Sequence, residues 1–245
     1  MNNLHNNSNV YKYFFKIIGY YLILVICNLS IYGCINHNDL KSTNFTSDIY
    51  NLSKKELQEG HYYKAIKLLE ELNNNHPFNN IVKYVKLDLI YAYYKIHEYS
   101  QAIKLINTFI RFNQADKNID YVLYMRAVIA QELDNHTSFQ KIFGIDYTDR
   151  DTENAEIAFK IFNQLVEHFP NSKYLVDVKH RILFLKERLA KHELSIVRFY
   201  NKIGAHIAVI NRVKYMIKHY PNTKSTNNAL KYMKTAYKIL DIKDN

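Results

Sequence analysis

Apolar positions recur along most of this chain at helical spacing, with polar residues between them. The pattern predicts helices over 48–59, 62–74, 80–96, 100–112 and 118–133, then over 152–168, 173–202, 205–219 and 225–240. Asp151 stands where an N-cap would open the sixth. The stretch 173–202 contains no breaker and would span roughly 45 Å at 1.5 Å per residue. The last helix has no partner after it and reads as a cap. Two segments interrupt the pattern. Residues 35–47 are polar and read as a tether, and an insertion over 136–151 separates the fifth and sixth helices. Insertions of this kind map to loops and often carry function.

The helices fall into a repeating frame. Ala65 and Leu69, Ala102 and Ile106, Ala158 and Phe162, and Val209 and Val213 each pair a small or β-branched residue with an apolar one a turn later. A small residue lets two helices approach, and the apolar residue fills the groove between them. Pro77, Pro170 and Pro221 close three of these segments, while Gly60 and Gly204 lie in the turns that precede two of them. This spacing resembles the tetratricopeptide (TPR) repeat, a helix–turn–helix unit that buries its core only by stacking on neighbours. The expected fold is all-α: a TPR-like solenoid of about five repeats. The domains are residues 48–135, the insertion 136–151, and residues 152–245.

Composition agrees. The 245 residues include only 5 Gly and 3 Pro, too few for a protein built on tight turns. No Gly-rich phosphate-binding motif is present.

The N-terminal segment changes the picture of where the chain works. Lys12 and Lys16 precede an apolar run over 17–31 that ends Ile31-Tyr32-Gly33-Cys34. A basic start, an apolar stretch and a small residue before the cut form an export signal over 1–33. The small residue directly before Cys34 resembles a bacterial lipobox, which implies cleavage there and acylation of Cys34. Residues 34–47 would then be a lipidated tether at the periplasmic face of the outer membrane. Loss of Lys12 and Lys16 takes the net charge from +10 to +8, since no acid precedes Cys34. A positive chain favours acidic partners or anionic surfaces, and export argues against nucleic acid. The only other cysteine, Cys27, leaves with the signal, so thiol catalysis and a Cys-based zinc site are excluded.

Several stretches are more specific than repeat spacing. They are Leu87-Asp88-Leu89-Ile90-Tyr91-Ala92-Tyr93-Tyr94-Lys95, Asn118-Ile119-Asp120-Tyr121-Val122-Leu123-Tyr124-Met125-Arg126, and Phe143-Gly144 with Asp146, Asp149, Arg150 and Asp151. His168-Phe169-Pro170-Asn171-Ser172, Leu185-Lys186 with Arg188-Leu189-Ala190, and Asn211-Arg212-Val213 continue the series. Together they resemble the BamD family, TPR lipoproteins of the outer-membrane β-barrel assembly (BAM) machinery, over nearly the whole mature chain. Tyr147 and Thr152 depart from the Arg and Pro usual there. The resemblance implies a non-enzymatic scaffold that docks on the periplasmic domains of BamA, carries other BAM lipoproteins, and receives unfolded outer-membrane β-barrel proteins. A different TPR envelope lipoprotein, coordinating cell-wall assembly, is the alternative.

Candidate binding residues follow from the frame and the family. Tyr50, Tyr84, Tyr91, Tyr94, Tyr121 and Tyr124 take inward first-helix positions. Lys95 and Arg126 stand near them to meet a terminal carboxylate. The family's substrates end in an aromatic β-strand signal, which such a groove suits. Lys202, Arg212 and Lys214 are the candidates for BamA docking. No cofactor and no metal are expected. The histidines lack metal-ligand spacing, and a calcium loop starting at Asp149 would need Gly and Glu where Asn154 and Lys160 stand.

Overall fold

The computed structural model describes residues 37–75, 81–135 and 151–240. Cys34 and its lipobox, Pro77, and the insertion up to Arg150 lie outside the described residues. Among the described residues there are nine helices and no strand: α1 (His37–Gln58), α2 (Tyr62–Asn75), α3 (Val82–Lys95), α4 (Tyr99–Phe112), α5 (Ile119–Asn135), α6 (Glu153–His168), α7 (Leu175–Lys202), α8 (His206–His219) and α9 (Lys224–Ile239). The chain divides into two compact units, Met1–Asn51 and Leu52–Asn245.

Most helices begin and end within a few residues of the positions that periodicity gives. The exception is α1, which starts at His37 and so takes in most of the segment read as a tether. That segment is polar, so no apolar stripe announces the helix, yet Asn, Ser and Thr tolerate helical backbone at modest cost.

The frame residues occupy the core. Ala65, Leu69, Ala102, Ile106, Ala158, Phe162, Val209 and Val213 are each 0% exposed. In the Leu52–Asn245 unit every helix from α2 onward packs on its successor; α3 also meets α5, and α7 also meets α9. Two apolar clusters result. One joins α3, α4 and α5 through Ile90, Ile106, Phe109, Val122 and Ile129. The other joins α5 to α9 through Ala127, Ala158, Phe162, Leu189 and Val213. Burying each large side chain contributes about 1.5–3 kcal/mol before conformational entropy is set against it.

Three turns inside the helix pairs share one geometry. Gly60, His97 and Gly204 have φ of +79°, 62° and +72°, in the left-handed region. At each turn the next residue's N–H reaches back to the helix: His61 to the Glu56 carbonyl at 2.9 Å, Glu98 to Tyr93 at 2.9 Å, and Ala205 to Tyr200 at 3.0 Å. The left-handed residue itself bonds Leu57, Tyr94 or Asn201, which completes the Schellman ending. Between repeats, Phe169 and Tyr220 terminate α6 and α8, and Pro170 and Pro221 follow directly. A proline there cannot continue the helix.

From α3 onward the described helices thus make the pairs α3/α4, α5/α6 and α7/α8, followed by the single α9. At 28 residues α7 is twice as long as α8, at 14, so it serves two layers of the stack.

Candidate functional site

The first helices α3 and α5 carry most of the aromatic candidates. At about 100° per residue, Tyr84, Asp88, Tyr91 and Lys95 share one face of α3. Tyr84 and Tyr91 are exposed, at 39% and 36%. Tyr62 of α2 meets Tyr91 edge-on at 6.2 Å, and the Lys95 ammonium lies 5.6 Å from the Tyr62 ring. Burial raises the Tyr91 phenol, and its hydrogen bond with Tyr62 raises it further. Lys54 closes one side of this patch by bonding Asp88 at 2.9 Å. Tyr94 points elsewhere: it is half-buried, packs against both apolar clusters, and lies 6.2 Å from Tyr99.

On α5, Tyr121 and Tyr124 continue the aromatic surface toward α7. Tyr124 stacks on Tyr174 at 4.5 Å, and Tyr121 tilts against the same ring at 5.9 Å. The Tyr124 hydroxyl donates to Asp177 Oδ2 at 2.8 Å. Arg181 holds that carboxylate through Nε at 2.6 Å and donates to Gln131 Oε1 at 2.9 Å through Nη1. Burial pushes the Tyr124 phenol up to about 12, with the Asp177 bond second. Burial opposes ionisation of Asp177, but the bonds from Arg181 and Tyr124 outweigh it and hold the carboxyl below its usual range. Ser172, just before α7, also bonds Asp120 at 2.7 Å and adds to the polar and aromatic contacts that join α5 to this end of α7.

The remaining candidates are dispersed. Arg126 lies five residues after Tyr121, about 140° around α5, and so away from the tyrosine face. The guanidinium at the tyrosines is that of Arg181, which reasoning from the repeat frame passed over. The i,i+4 spacing of Asp177 and Arg181 was its one sequence signal. Tyr50 lies half-buried on α1, in the unit Met1–Asn51. Lys202 is exposed at the end of α7. Arg212 bonds Glu193 of α7 at 3.0 Å and lies 5.9 Å from the Tyr215 ring, so it clasps α7 to α8. Lys214 sits about 160° around α8 from Arg212, 5.9 Å from the Tyr237 ring.

One cluster has metal-ligand composition. Glu56, Glu59 and His61 bring their ligand atoms within 4.8 Å of one another. The imidazole already bonds Glu56 at 2.8 Å beside the Gly60 turn. The cluster is a hydrogen-bonded group at the end of α1, with Glu56 half-buried and Glu59 and His61 exposed. No helix among the described residues is long and apolar enough to cross a membrane.

The described surface therefore offers aromatic faces and paired charges, a chemistry suited to holding another chain. The family model described as "YfiO: Outer membrane lipoprotein" matches residues 43–245. The outer membrane protein assembly factor BamD of Pasteurella multocida is 35% identical over 225 residues, which covers 91% of this chain and 85% of that protein. BamD of Vibrio cholerae is 36% identical, over 87% of this chain and 88% of its own. BamD of Buchnera aphidicola is 36% identical, over 91% and 92%. A frame of stacked helix pairs and a match of this extent place the chain in one family: it belongs to the YfiO outer membrane lipoproteins, the family of the BamD assembly factors.

Proposed function

We propose that this chain is a non-enzymatic scaffold of the outer-membrane β-barrel assembly complex. It is anchored through Cys34 at the periplasmic face and docks on BamA beside other BAM lipoproteins. There it receives unfolded outer-membrane β-barrel proteins through its N-terminal repeats. The observation that carries this reading is the aromatic surface of α3, α5 and the start of α7. Exposed Tyr91 lies a turn from Lys95, exposed Tyr84 stands two turns earlier on the same face of α3 beside Lys83, and Tyr121, Tyr124 and Tyr174 continue the surface. Such a surface takes the aromatic end of a β-strand signal by stacking, and a lysine meets its carboxylate. Tyr91→Ala is the cleaner test, because Tyr91 is exposed while Tyr94 supports the core. Loss of about fivefold or more in affinity for a peptide ending in Phe, with the fold retained, is expected. Equal affinity in Tyr91→Ala and Tyr84→Ala would remove the groove from substrate binding.

Docking on BamA is assigned to the α7–α8 end, with Lys202, Arg212 and Lys214. The Glu193 bond turns Arg212 into a support of that surface as well as a candidate contact. Charge reversal at Lys202, which is exposed, is therefore the sharper probe. Weaker recovery of BamA from the envelope supports the assignment, and unchanged recovery for both Lys202→Glu and Lys214→Glu refutes it.

A further inference from the structure

The helices α8 and α9 contain no carboxylate. Lysines 224, 231, 234 and 238 recur on α9 in steps of seven, three and four residues. At about 100° and 1.5 Å per residue, they occupy an arc of about 80° and a length of about 21 Å. All four are exposed, while Ser225, Thr226, Ala229 and Ala236 on the other side of the helix are buried. None of the four ammonium groups makes an ion pair among the described residues. Glu187 does reach α9, but its carboxylate accepts from the backbone N–H groups of Lys224 and Ser225 and from the Ser225 hydroxyl. Leu230 and Ile239, 41% and 56% exposed, flank the stripe, about 40° beyond Lys234 and 60° beyond Lys224.

Four like charges at such spacing lie within about one Debye length of their neighbours and repel in the free protein. Their arrangement selects the partner. The row is straight, made of ammonium groups alone, and bordered by aliphatic side chains at partial exposure. Fixed carboxylates on a protein are matched best by guanidinium forks, and this row has none. A layer of lipid phosphates accepts point charges in any register, and its headgroup region takes up the aliphatic margins. The geometry points to α9 as a lysine stripe that lies on an anionic phospholipid surface.

The test is a lysine footprint on the full chain. The chain is mixed with vesicles of phosphatidylcholine alone or of phosphatidylcholine with phosphatidylglycerol. Acylation rates of individual lysines in the bound fraction are compared with those of the chain without vesicles. On anionic vesicles Lys224, Lys231, Lys234 and Lys238 should react at least about fivefold more slowly. Lys64 and Lys67 on α2 should be unchanged, and about 0.5 M salt should abolish the protection. Replacing all four with Gln should remove the preference for anionic over phosphatidylcholine vesicles while leaving the melting temperature in place. Equal rates on both vesicle types overturn the proposal. So does equal protection by inorganic phosphate alone, which marks a free-anion site, or protection that arises only when an acidic protein partner is added.

Discussion

Gly60, His97 and Gly204 occupy the same place in three helix pairs, and at each the backbone is left-handed. At Gly204 no atom lies within 4 Å of where a Cβ would stand, so the cost of a side chain there is conformational rather than steric. Gly204→Ala should lose about 1–2 kcal/mol in urea unfolding, the usual cost of an L-residue in that region. A loss near zero would show that the turn can relax without disturbing α7 or α8. Asp177 offers a second residue-scale prediction, now in pH. Its carboxyl titrates below its ordinary value of about 3.9, because Arg181 and Tyr124 bond the ionised form despite burial. A depressed pKa adds stability that is present above the ordinary value and lost as pH falls through the folded one. Asp177→Asn should therefore melt lower than wild type at neutral pH and lose less on acidification below about pH 4. Parallel melting curves for the two chains would remove the pair from the stability of the α5–α7 contact.

At the scale of elements, α9 shows how a helix end is secured from outside itself. Thr223 Oγ1 accepts from the Thr226 N–H at 3.0 Å. Glu187 of α7 accepts from the N–H groups of Lys224 and Ser225 at 2.8 and 3.1 Å. The first amide donors of α9, which have no partner within the helix, are thereby satisfied, and a negative charge faces the positive end of the helix dipole. Thr223→Ala should cost about 1 kcal/mol. Glu187→Ala should cost a similar amount and speed hydrogen exchange at the start of α9 before any other helix responds. Exchange that stays slow there would show the cap to be redundant. The Glu187 cap also marks the limit of what the sequence discloses. The helix pairs were legible because Gly and Pro act on their own backbone, and because Ala65, Ala102 and Ala158 recur in a fixed relation to their groove fillers. The contacts between layers were not. Glu187 and Ser225 are 38 residues apart, Ser172 and Asp120 are 52 apart, and Tyr124 and Asp177 are 53 apart. Nothing in the local pattern couples such residues; only stacking brings them together. The same reason explains why Arg181 replaces Arg126 at the tyrosine face: helical phase fixes where Arg126 lies, but the guanidinium that reaches the site arrives from another repeat.

For the Leu52–Asn245 unit as a whole, α5 is the shared wall. Val122, Met125 and Ile129 of α5 belong to the cluster with α3 and α4, while Ala127, Val128 and Ala130 belong to the cluster that runs on to α9. Neither cluster contains the other's large aromatic: Phe109 anchors the first and Phe162 the second, each 0% exposed. In stacked repeats stability is close to a sum of unit and interface contributions, so a lesion acts first on its own layer. Phe109→Ala and Phe162→Ala should each cost about 3–5 kcal/mol where the surrounding helices cannot collapse into the space. Their footprints should differ. With Phe109→Ala, hydrogen exchange should accelerate in α3 and α4 while α8 and α9 keep most of their protection; with Phe162→Ala the loss should fall on α6 and α7 and leave α4 protected. The α5 amides should respond to both, because that helix contributes to both clusters. If both substitutions accelerate exchange uniformly from α2 to α9, the unit unfolds as one cooperative body and the division at α5 carries no energetic meaning. If the footprints separate, the aromatic surface of α3 and the basic end at α8 and α9 rest on different cores, joined through α5 and its Tyr124–Asp177–Arg181 link to α7. Binding at the first could then influence the second only through α5 and its contacts with α6 and α7, and Asp177→Asn is the substitution that would weaken the Tyr124–Asp177–Arg181 contact among them.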